Sequence, residues 1–356
     1  MSSTAERGSD NMAMWYEKTG KNQDVVLSTK VVITRNVRGY NFPCKMNSDE
    51  CRQLLDQVDQ VIDKNKLGNT WSGTRLPVPG KGDNNVITPE SQLFGRRLNV
   101  LKDADRKAIY YSDDAGLSVT VNQDEHLTIR AMRAGHDPAV YNMADSLAAS
   151  LERKLDIAYS ERHGFLTSDI KLAGTGTVIL YTVAIPAIVK SNGGLNMLRQ
   201  RVNQYYWTIY PFDEQGQYAS SNVYIISNIS TRGVSGEEVL RRGEMLINDI
   251  IQLERGCREQ FATRRKTEVS DLYGRSYGLL RYAKSVNPRE ALDALGWMRL
   301  YKEYDDAPEF DISWEKLNKL TQDICWEAER YSSKAKAGEL NKIRANKIKT
   351  ILKGDE

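Results

Sequence analysis

The chain has 356 residues, of which 40% are hydrophobic and 27% are charged, with 50 lysines and arginines against 47 aspartates and glutamates. This composition is that of a globular protein with room for roughly two or three domains, and it excludes disorder over most of the length. The formal net charge of only +3 provides no overall field for attracting nucleic acid, so we expect no nucleic-acid partner.

The few cysteines and histidines argue against zinc. The four cysteines show no C-x-x-C spacing and no nearby histidine pair, and the chain has three histidines in all, so no metal site is expected. The polar start does not resemble a signal peptide, and no apolar run approaches the ~18–20 residues that cross a bilayer. We therefore expect a cytoplasmic protein with free thiols and no membrane contact.

The first part of the chain predicts a small, mostly helical lobe behind a mobile N-terminus of residues 1–14. Residues Val25–Asn36 are rich in β-branched side chains. The capping residues Asn47–Glu50 then introduce a helix to about Asp63 with one apolar face. We expect this lobe to span residues 15–75.

A sheet is predicted next, in a larger lobe of residues 76–262. Residues 70–90 hold three prolines and three glycines, which predicts a loop or linker. Beyond it, turn residues separate three short β-rich runs. The runs are Arg106–Ser112, Gly116–Asn122 and His126–Met132. The Ser-Asp-Asp-Ala-Gly turn at 112–116 is a strong hairpin signal, so we expect an antiparallel meander.

Helices are predicted to flank this sheet and to form the end of the chain. A core-facing helix is expected over Tyr141–Tyr159, two strands over Thr177–Ile185 and Val223–Ile229, and a long helix from Ser235 to about Phe261. Residues 263–356 are predicted to form a helical C-terminal domain, which favours pairing with a partner or a homodimer. The fold class is therefore α+β.

Residues 122–126, Asn-Gln-Asp-Glu-His, place two adjacent carboxylates beside a basic ring on a segment that looks like a strand. Neighbouring like charges repel unless a cationic or protonatable group lies between them. Two interpretations stay open: a solvated strand end, or a site.

Several motifs in one order resemble the ATP:guanidino phosphotransferase family, and most of all its bacterial protein-arginine kinase branch. They are Val25–Lys30 running to Arg35-Asn36 and Phe42-Pro43, Asn122–His126, Gly164–Thr167 with Gly174–Gly176, Ile226–Asn228, and Arg275–Leu280. The resemblance implies a small helical lobe, a larger antiparallel-sheet lobe flanked by helices, and a helical end domain. It also implies transfer of the γ-phosphoryl group of Mg-ATP to a guanidinium nitrogen, for this branch on arginine side chains of proteins.

The family pattern places arginines against the nucleotide phosphates at positions that here lack them. Those positions hold Lys30, Val32, Thr128, Val178 and, by a weaker alignment, Tyr210. One lost charge-assisted hydrogen bond removes about 1.5–3 kcal/mol, and one lost transition-state donor commonly costs ~10²–10³ in rate. The resemblance therefore implies that ordinary family catalysis is lost or nearly lost.

By the same resemblance, the catalytic residues would be Asp124, at the position of the family's second glutamate, Glu125, and Asp169, where most members have a reactive cysteine. The residues that would contact a nucleotide are Lys30, Arg35, His126, Gly174, Thr175 and Gly176. Outside the family, a glycine pair is more typical of a plain turn, and a histidine like this one is as often a core residue. Further cations, among them Arg96, Arg97 and Arg130, have no direction fixed by the sequence.

Two functions follow as hypotheses. The first is a pseudokinase that needs no cofactor and binds a protein partner, including an arginine-phosphorylated one. The second is an active kinase with a rebuilt site, which would need ATP and Mg²⁺. The basic run Lys342–Lys349 resembles the helix by which this branch docks phosphoarginine, with Arg344 and Lys349 as candidates, while a solvated helix face is the plainer interpretation.

Overall fold

The computed structural model describes residues 14–62, 71–75, 106–212, 222–302, 312–325 and 337–353. Nearly all of the predicted mobile N-terminus, most of the predicted loop over 70–90, and Arg96 and Arg97 lie outside these described residues. Within them, helices and an antiparallel sheet form an α+β fold, which confirms the predicted class.

The elements follow the predicted order closely. The strands are β1 (Val26–Arg35), β2 (Trp71–Arg75), β3 (Ala108–Ser112), β4 (Leu117–Val121), β5 (Leu127–Ala134), β6 (Tyr159–Ser160), β7 (Gly164–Phe165), β8 (Thr177–Ala184), β9 (Trp207–Pro211) and β10 (Val223–Asn228). The helices are α1 (Ser48–Ile62), α2 (Ala139–Glu152), α3 (Pro186–Lys190), α4 (Gly194–Gln204), α5 (Gly236–Arg264), α6 (Lys266–Tyr282), α7 (Pro288–Tyr301), α8 (Trp314–Cys325) and α9 (Ala337–Lys353).

Among the described residues, eight strands form one antiparallel sheet in the order β2-β3-β4-β5-β1-β8-β10-β9. The predicted meander is confirmed as β3-β4-β5. One face of the sheet carries the main core, because alternate residues such as Val31, Ile33 and Ile179 are fully buried against α2 and α5. The opposite face, which we call the outer face, carries the intervening residues.

Two strands of the predicted lobe over residues 15–75 belong to the large sheet. β1 lies between β5 and β8 near the centre of the sheet, and β2 forms its edge beside β3. A run as rich in β-branched residues as β1 suits a strand paired on both sides. Residues 71–75 were predicted as loop because their neighbourhood is rich in proline, yet this five-residue stretch contains none. The predicted domain boundaries stay predictions.

Two predicted helix ends can be compared with the structure. α1 starts as predicted, because the Asn47 side chain accepts hydrogen bonds from the amides of Asp49 and Glu50, both at 2.9 Å. The helix predicted over 141–159 ends instead at Glu152. The chain then pairs with the stretch after β1, since the amide of Ala158 donates to the carbonyl of Asn36 at 2.7 Å.

The helices after α5 build a second core, which also reaches the sheet. Leu27, Ala184 and Val223 of the sheet lobe belong to the same buried cluster as the apolar side chains of α6, α7, α8 and α9. The predicted helical end is thus confirmed in type over its described parts. In the described residues, no helix combines the length and the apolar character needed to cross a membrane.

Asp293 of α7 gives a stability prediction at this junction. Its Oδ1 accepts a hydrogen bond from the amide of Asn222 at 3.1 Å, and burial raises its pKa to about 6 against an ordinary value of 3.8. A raised carboxyl pKa means that the folded state binds more protons between about pH 4 and 6. The stability contributed by this group is therefore largest below pH 4 and falls as the pH rises through 6.

Asp293→Asn should raise the free energy of unfolding at pH 8 by about 1–2 kcal/mol, allowing for screening of a side chain that is 33% exposed. The gain should vanish at pH 4, where Asp293 is protonated. Urea unfolding at both pH values measures this, with the exposed Asp113→Asn as the charge-matched control. A variant that is no more stable than the parent at pH 8 would contradict the prediction.

Candidate active-site surface

The outer face gathers the positions where the family pattern places phosphate-binding arginines. Residues directly opposite each other in antiparallel strands point to the same face. Val32 of β1 lies opposite Val178 of β8 on one side and Arg130 of β5 on the other. Thr128 lies one step along the same face of β5 from Arg130, opposite Thr34 of β1.

The remaining two positions also fall on this face. Lys30 lies between Met132 of β5 and Leu180 of β8. Tyr210 of β9 is paired with Ile225 of β10, and Ile225 is in turn paired with an outer-face residue of β8. Tyr210 therefore lies on the outer face as well. Along the described strands β1, β5 and β8, Lys30 and Arg130 are the charged residues on the outer face.

Arg130 is almost fully enclosed, with 8% of its surface exposed. Its Nη1 donates to Oγ1 of Thr120 at 2.9 Å, and its Nη2 donates to Oε1 of Gln123 at 3.2 Å. Burial lowers its pKa to about 10, and the charge of Asp124 opposes that shift. The sequence alone did not indicate which face of the sheet carries Arg130, and the structure places it on the outer face.

The acidic motif is a turn rather than the predicted strand. Residues 122–126 connect β4 to β5, and Asn122 has a φ of 57°, a left-handed conformation that asparagine tolerates better than most residues. The two neighbouring carboxylates of this turn differ in exposure: Asp124 is exposed to solvent, whereas Glu125 is buried, with 1% of its surface exposed.

Glu125 is a buried connector whose oxygens are already bonded. They accept hydrogen bonds from Nδ2 of Asn36 at 2.6 Å, from the hydroxyl of Ser168 at 2.8 Å and from the amides of Ser168 and Asp169 at 2.9 and 3.2 Å. The exposed Asp169 therefore lies beside the acidic turn, and Ser168 Oγ also donates to the carbonyl of Asp124 at 2.9 Å. The three predicted catalytic residues do come together, but Glu125 holds the loop rather than facing solvent.

Two predicted nucleotide contacts are engaged inside the protein. His126 is fully buried, with Nδ1 accepting from the amide of Val37 at 3.0 Å and Nε2 lying 2.7 Å from the carbonyl of Asn41. This arrangement suits a neutral ring, and burial lowers the pKa of His126. The geometry counts against phosphate binding by this histidine and favours the plainer interpretation of a core residue.

Arg35 is likewise engaged. Its Nε donates to Glu152 at 2.6 Å, its Nη1 donates to the carbonyls of Thr34 and Thr175 at 2.8 and 2.9 Å, and its guanidinium stacks on the Phe165 ring. Burial lowers its pKa, and the charge of Glu152 opposes that shift. Arg35 thus links α2 to the loop before β8.

The turn Gly174-Thr175-Gly176 also packs inward. The amide of Gly174 donates to the carbonyl oxygen of Phe165 at 3.2 Å, and the amide of Thr175 donates to the carbonyl oxygen of Thr231 at 2.9 Å. A phosphate cradle needs such amides to point at the ligand. With these two occupied, the turn has the geometry of a packing motif.

The predicted phosphoarginine contacts on α9 differ from each other. Arg344 is buried, and its Nη1 donates to the carbonyl of Val286 at 2.6 Å and to Oδ1 of Asn341 at 2.7 Å, which counts against direct docking. Lys349 is partly exposed. On α6, an open depression of about 760 Å³ is lined by Lys266, Thr267, Ser270, Asp271, Gly274 and Arg275.

Sequence reasoning missed two residues of this surface. Asn36 joins the acidic turn to the loop, since its Oδ1 accepts from the amide of His126 at 2.9 Å and its Nδ2 donates to Glu125. Asn36 belongs to the family motif that also contains Arg35, and this motif was the available sequence signal for it. Ser168 carried no signal, because its partner Glu125 lies 43 positions away in the chain.

Comparisons with known proteins agree with this geometry. The sequence profile described as ATP:guanido phosphotransferase, C-terminal catalytic domain, matches residues 74–257, more than half of the chain. A protein-arginine kinase of Clostridium novyi (strain NT) is 29% identical over 355 residues, which cover 97% of this chain and 100% of the relative. One of Clostridium acetobutylicum is 28% identical over 313 residues, covering 87% and 90%.

Solved structures show the same fold at lower identity. The substrate-free duplicated taurocyamine kinase from Schistosoma mansoni superposes with a TM-score of 0.58 at 18% identity, covering 77% of this chain and 40% of that one. Lombricine kinase gives a TM-score of 0.54 at 17% identity, covering 67% and 70%. Together with the outer face of the sheet, these matches show that the chain belongs to the ATP:guanido phosphotransferase family and resembles its bacterial protein-arginine kinase branch.

Proposed function

We propose that this chain is a protein-arginine-kinase-like protein in which phosphoryl transfer is lost or strongly reduced, and that it acts by binding protein partners. The observation that carries the proposal is the chemistry of the outer face. Val32 and Val178 are direct neighbours there, and Thr128 lies one step from Arg130 on the adjacent strand. The three are therefore neutral positions beside Arg130 where a triphosphate would need cations.

The residues present do not fit a bound Mg-ATP. Its phosphates would need several convergent positive groups, whereas Arg35 is committed to Glu152 and to backbone carbonyls, and His126 has both nitrogens engaged. Each missing preorganised donor commonly lowers a rate by ~10²–10³. Even with strong non-additivity among neighbours, the combined loss removes ordinary turnover.

The nearby carboxylates add to the mismatch. Asp124 and Asp169 are both exposed at the acidic turn, where the family pattern has one glutamate and one cysteine. An added negative charge close to a polyanionic nucleotide is unfavourable. Glu125 is the enclosed carboxylate of this cluster, but its oxygens already accept hydrogen bonds, so it is poorly placed to act as a base.

Partner binding is supported by the helical end of the chain. The depression on α6 presents Lys266 and the Asp271–Arg275 ion pair of 2.7 Å at an open surface. Mixed charge and small side chains at such a surface suit a charged protein segment, and an arginine-phosphorylated segment is the partner that we propose. Co-purification with a phosphoarginine peptide, compared with its unmodified form, tests this part.

The decisive experiment measures phosphoryl transfer directly. With Mg-ATP and arginine-rich protein substrates, we expect at least ~10⁴-fold less phosphoarginine than from an active relative, given several lost donors at ~10²–10³ each. Radiolabel transfer and intact-protein mass spectrometry provide the readouts, and the Clostridium novyi protein-arginine kinase provides the positive control. Robust phosphorylation of arginine by this chain would overturn the proposal.

An active kinase with a rebuilt site is the second candidate, and one observation favours it. Lys30 and Arg130 both lie on the outer face, and the exposed Asp124 lies at the end of the same sheet. If this candidate holds, Asp124→Asn should abolish turnover while nucleotide affinity stays nearly unchanged. Equal turnover in Asp124→Asn would rule out this mechanism.

A further inference from the structure

The outer face carries a small apolar cluster of its own beside strands β3 and β5. Its buried members are Trp15, Tyr16, Ile109, Ala115 and Met132. In the same two strands, the alternate residues Ala108 and Ala131 belong to the main core on the opposite face. Trp15 and Tyr16, which precede β1 in the chain, therefore lie on the outer face of the sheet.

The strand register shows which part of the outer face this cluster covers. Ile109 of β3 is paired with Thr120 of β4, and Thr120 is paired with Thr128 of β5. Met132 of β5 lies directly opposite Lys30 of β1. The cluster thus occupies the same two rows of the outer face as Thr128 and Lys30, which belong to the candidate site.

Residues 14–19, which we call the lid, supply this cover. Trp15 is 3% exposed and begins a turn of 3₁₀ helix, Trp15–Glu17. The amide of Trp15 donates to the carbonyl oxygen of Asp114 at 3.0 Å, and Nζ of Lys18 donates to Oδ2 of Asp114 at 2.8 Å. A segment held by one short turn, a small apolar cluster and a few polar contacts has the properties of a unit that opens locally.

The chain becomes firmly anchored at Gly20, directly after the lid. Gly20 packs so closely on the end of β5 that a side chain would not fit. The carbonyl oxygen of Lys21 then accepts from the amide of His136 at 2.7 Å, and Asp24 forms an ion pair with Arg255 of α5 at 2.7 Å. Gly20 is therefore the boundary about which the lid can turn, because hinges are residues where loop backbone changes φ and ψ next to fixed structure.

The helical end of the chain holds the lid from the other side. Nδ2 of Asn318 in α8 donates to the carbonyl oxygen of Lys18 at 3.2 Å, and Nζ of Lys319 lies 3.5 Å from Oε1 of Glu17. Oδ1 of Asn318 accepts from the buried guanidinium of Arg299 in α7 at 2.7 Å, which fixes the orientation of the asparagine. The lid thus lies between the sheet and α8.

We propose that the lid opens about Gly20 and controls access to the β3–β5 part of the outer face, with Asn318 of α8 as its latch. In the closed position the lid covers Ile109 and Met132, so a ligand that enters the rows of Thr128 and Lys30 has to displace it. The contacts of the lid are therefore autoinhibitory. The proposal concerns access to the outer face and holds whether or not phosphoryl transfer survives.

The test is oxidation of methionines by hydrogen peroxide in the full chain, read by peptide-resolved mass spectrometry. Met132 under the lid is 6% exposed, Met298 in the core of the helical end is 3% exposed, and Met197 on α4 is 48% exposed. Since a buried thioether reacts when an opening lets peroxide reach it, the three report on the lid, on the helical core and on free access. We expect Met132 to react more slowly than Met197 and faster than Met298.

Two variants separate opening of the lid from general loss of stability. Trp15→Ala removes the main apolar contact of the lid and should raise the oxidation rate of Met132 by ~10-fold or more, with little change at Met298. Asn318→Ala releases the latch and should raise the Met132 rate several-fold. The control Tyr282→Ala removes a ring that is 72% exposed at the end of α6 and should leave both rates as in the parent. Equal Met132 rates in the parent and both variants, or a Met132 rate that rises by the same factor as that of Met298, would overturn the proposal.

Discussion

Replacing Glu125 by alanine is expected to lower the free energy of unfolding by about 3 kcal/mol or more, whereas Asp124→Ala should change it by less than ~0.5 kcal/mol. The two carboxylates are neighbours in the chain, yet Glu125 is 1% exposed and accepts bonds from Asn36, Ser168 and Asp169, while Asp124 is exposed. Removal of Glu125 leaves the buried Asn36 amide without one of its partners, which costs about 1–3 kcal/mol, and it also removes the carboxylate bonds that hold the amides of Ser168 and Asp169.

Urea unfolding of the two variants measures this contrast, and Asp124→Ala is the matched control because it removes the same charge one residue away. Hydrogen exchange should show the loop around Ser168 opening more readily in Glu125→Ala, since that residue is the loop's main anchor to the β4–β5 turn. A Glu125→Ala chain as stable as the parent would mean that these hydrogen bonds contribute little. Glu125 would then be available again for catalysis.

The sequence predicted the elements of this fold well, because their signals are local. Alternation of buried residues marks β8, and the Asn47 cap marks the start of α1. β2 was missed because the prolines around it gave the whole neighbourhood the composition of a loop. The early end of α2 was missed because a partner distant in sequence, the stretch after β1, takes over the backbone at Ala158.

The candidate site could be predicted only in part, for the same reason. The adjacent carboxylates marked residues 122–126, and the resemblance to the family marked the neutral positions 32, 128 and 178, which the strand register then placed on one face. What spacing cannot give is the partner of each side chain. Arg35 and Arg344 are both cations in motif positions, yet in the folded chain each donates hydrogen bonds to a carbonyl oxygen far away in sequence.

Gly174→Ala is expected to destabilise the protein by about 3 kcal/mol or more, adding backbone strain and overpacking. Gly174 has a φ of +115°, which side chains rarely tolerate, and an added Cβ would lie 2.2 Å from the carbonyl oxygen of Thr231. That oxygen already accepts the amide of Thr175, so it cannot move away without breaking the turn. The matched control is Gly256→Ala, in the middle of α5, where an added Cβ meets nothing within 4 Å.

Gly256→Ala should stabilise the chain by about 0.5–1 kcal/mol, because alanine favours a helix interior over glycine. The two glycine substitutions therefore have opposite expected effects on stability. If Gly174–Gly176 also cradled a phosphate, added nucleotide would stabilise the parent chain against urea and would stabilise Gly174→Ala less. If the turn instead fixes the loop between β7 and β8 against Thr231, the midpoint falls whether or not a nucleotide is present, and this is the result that we expect from the occupied amides of Gly174 and Thr175.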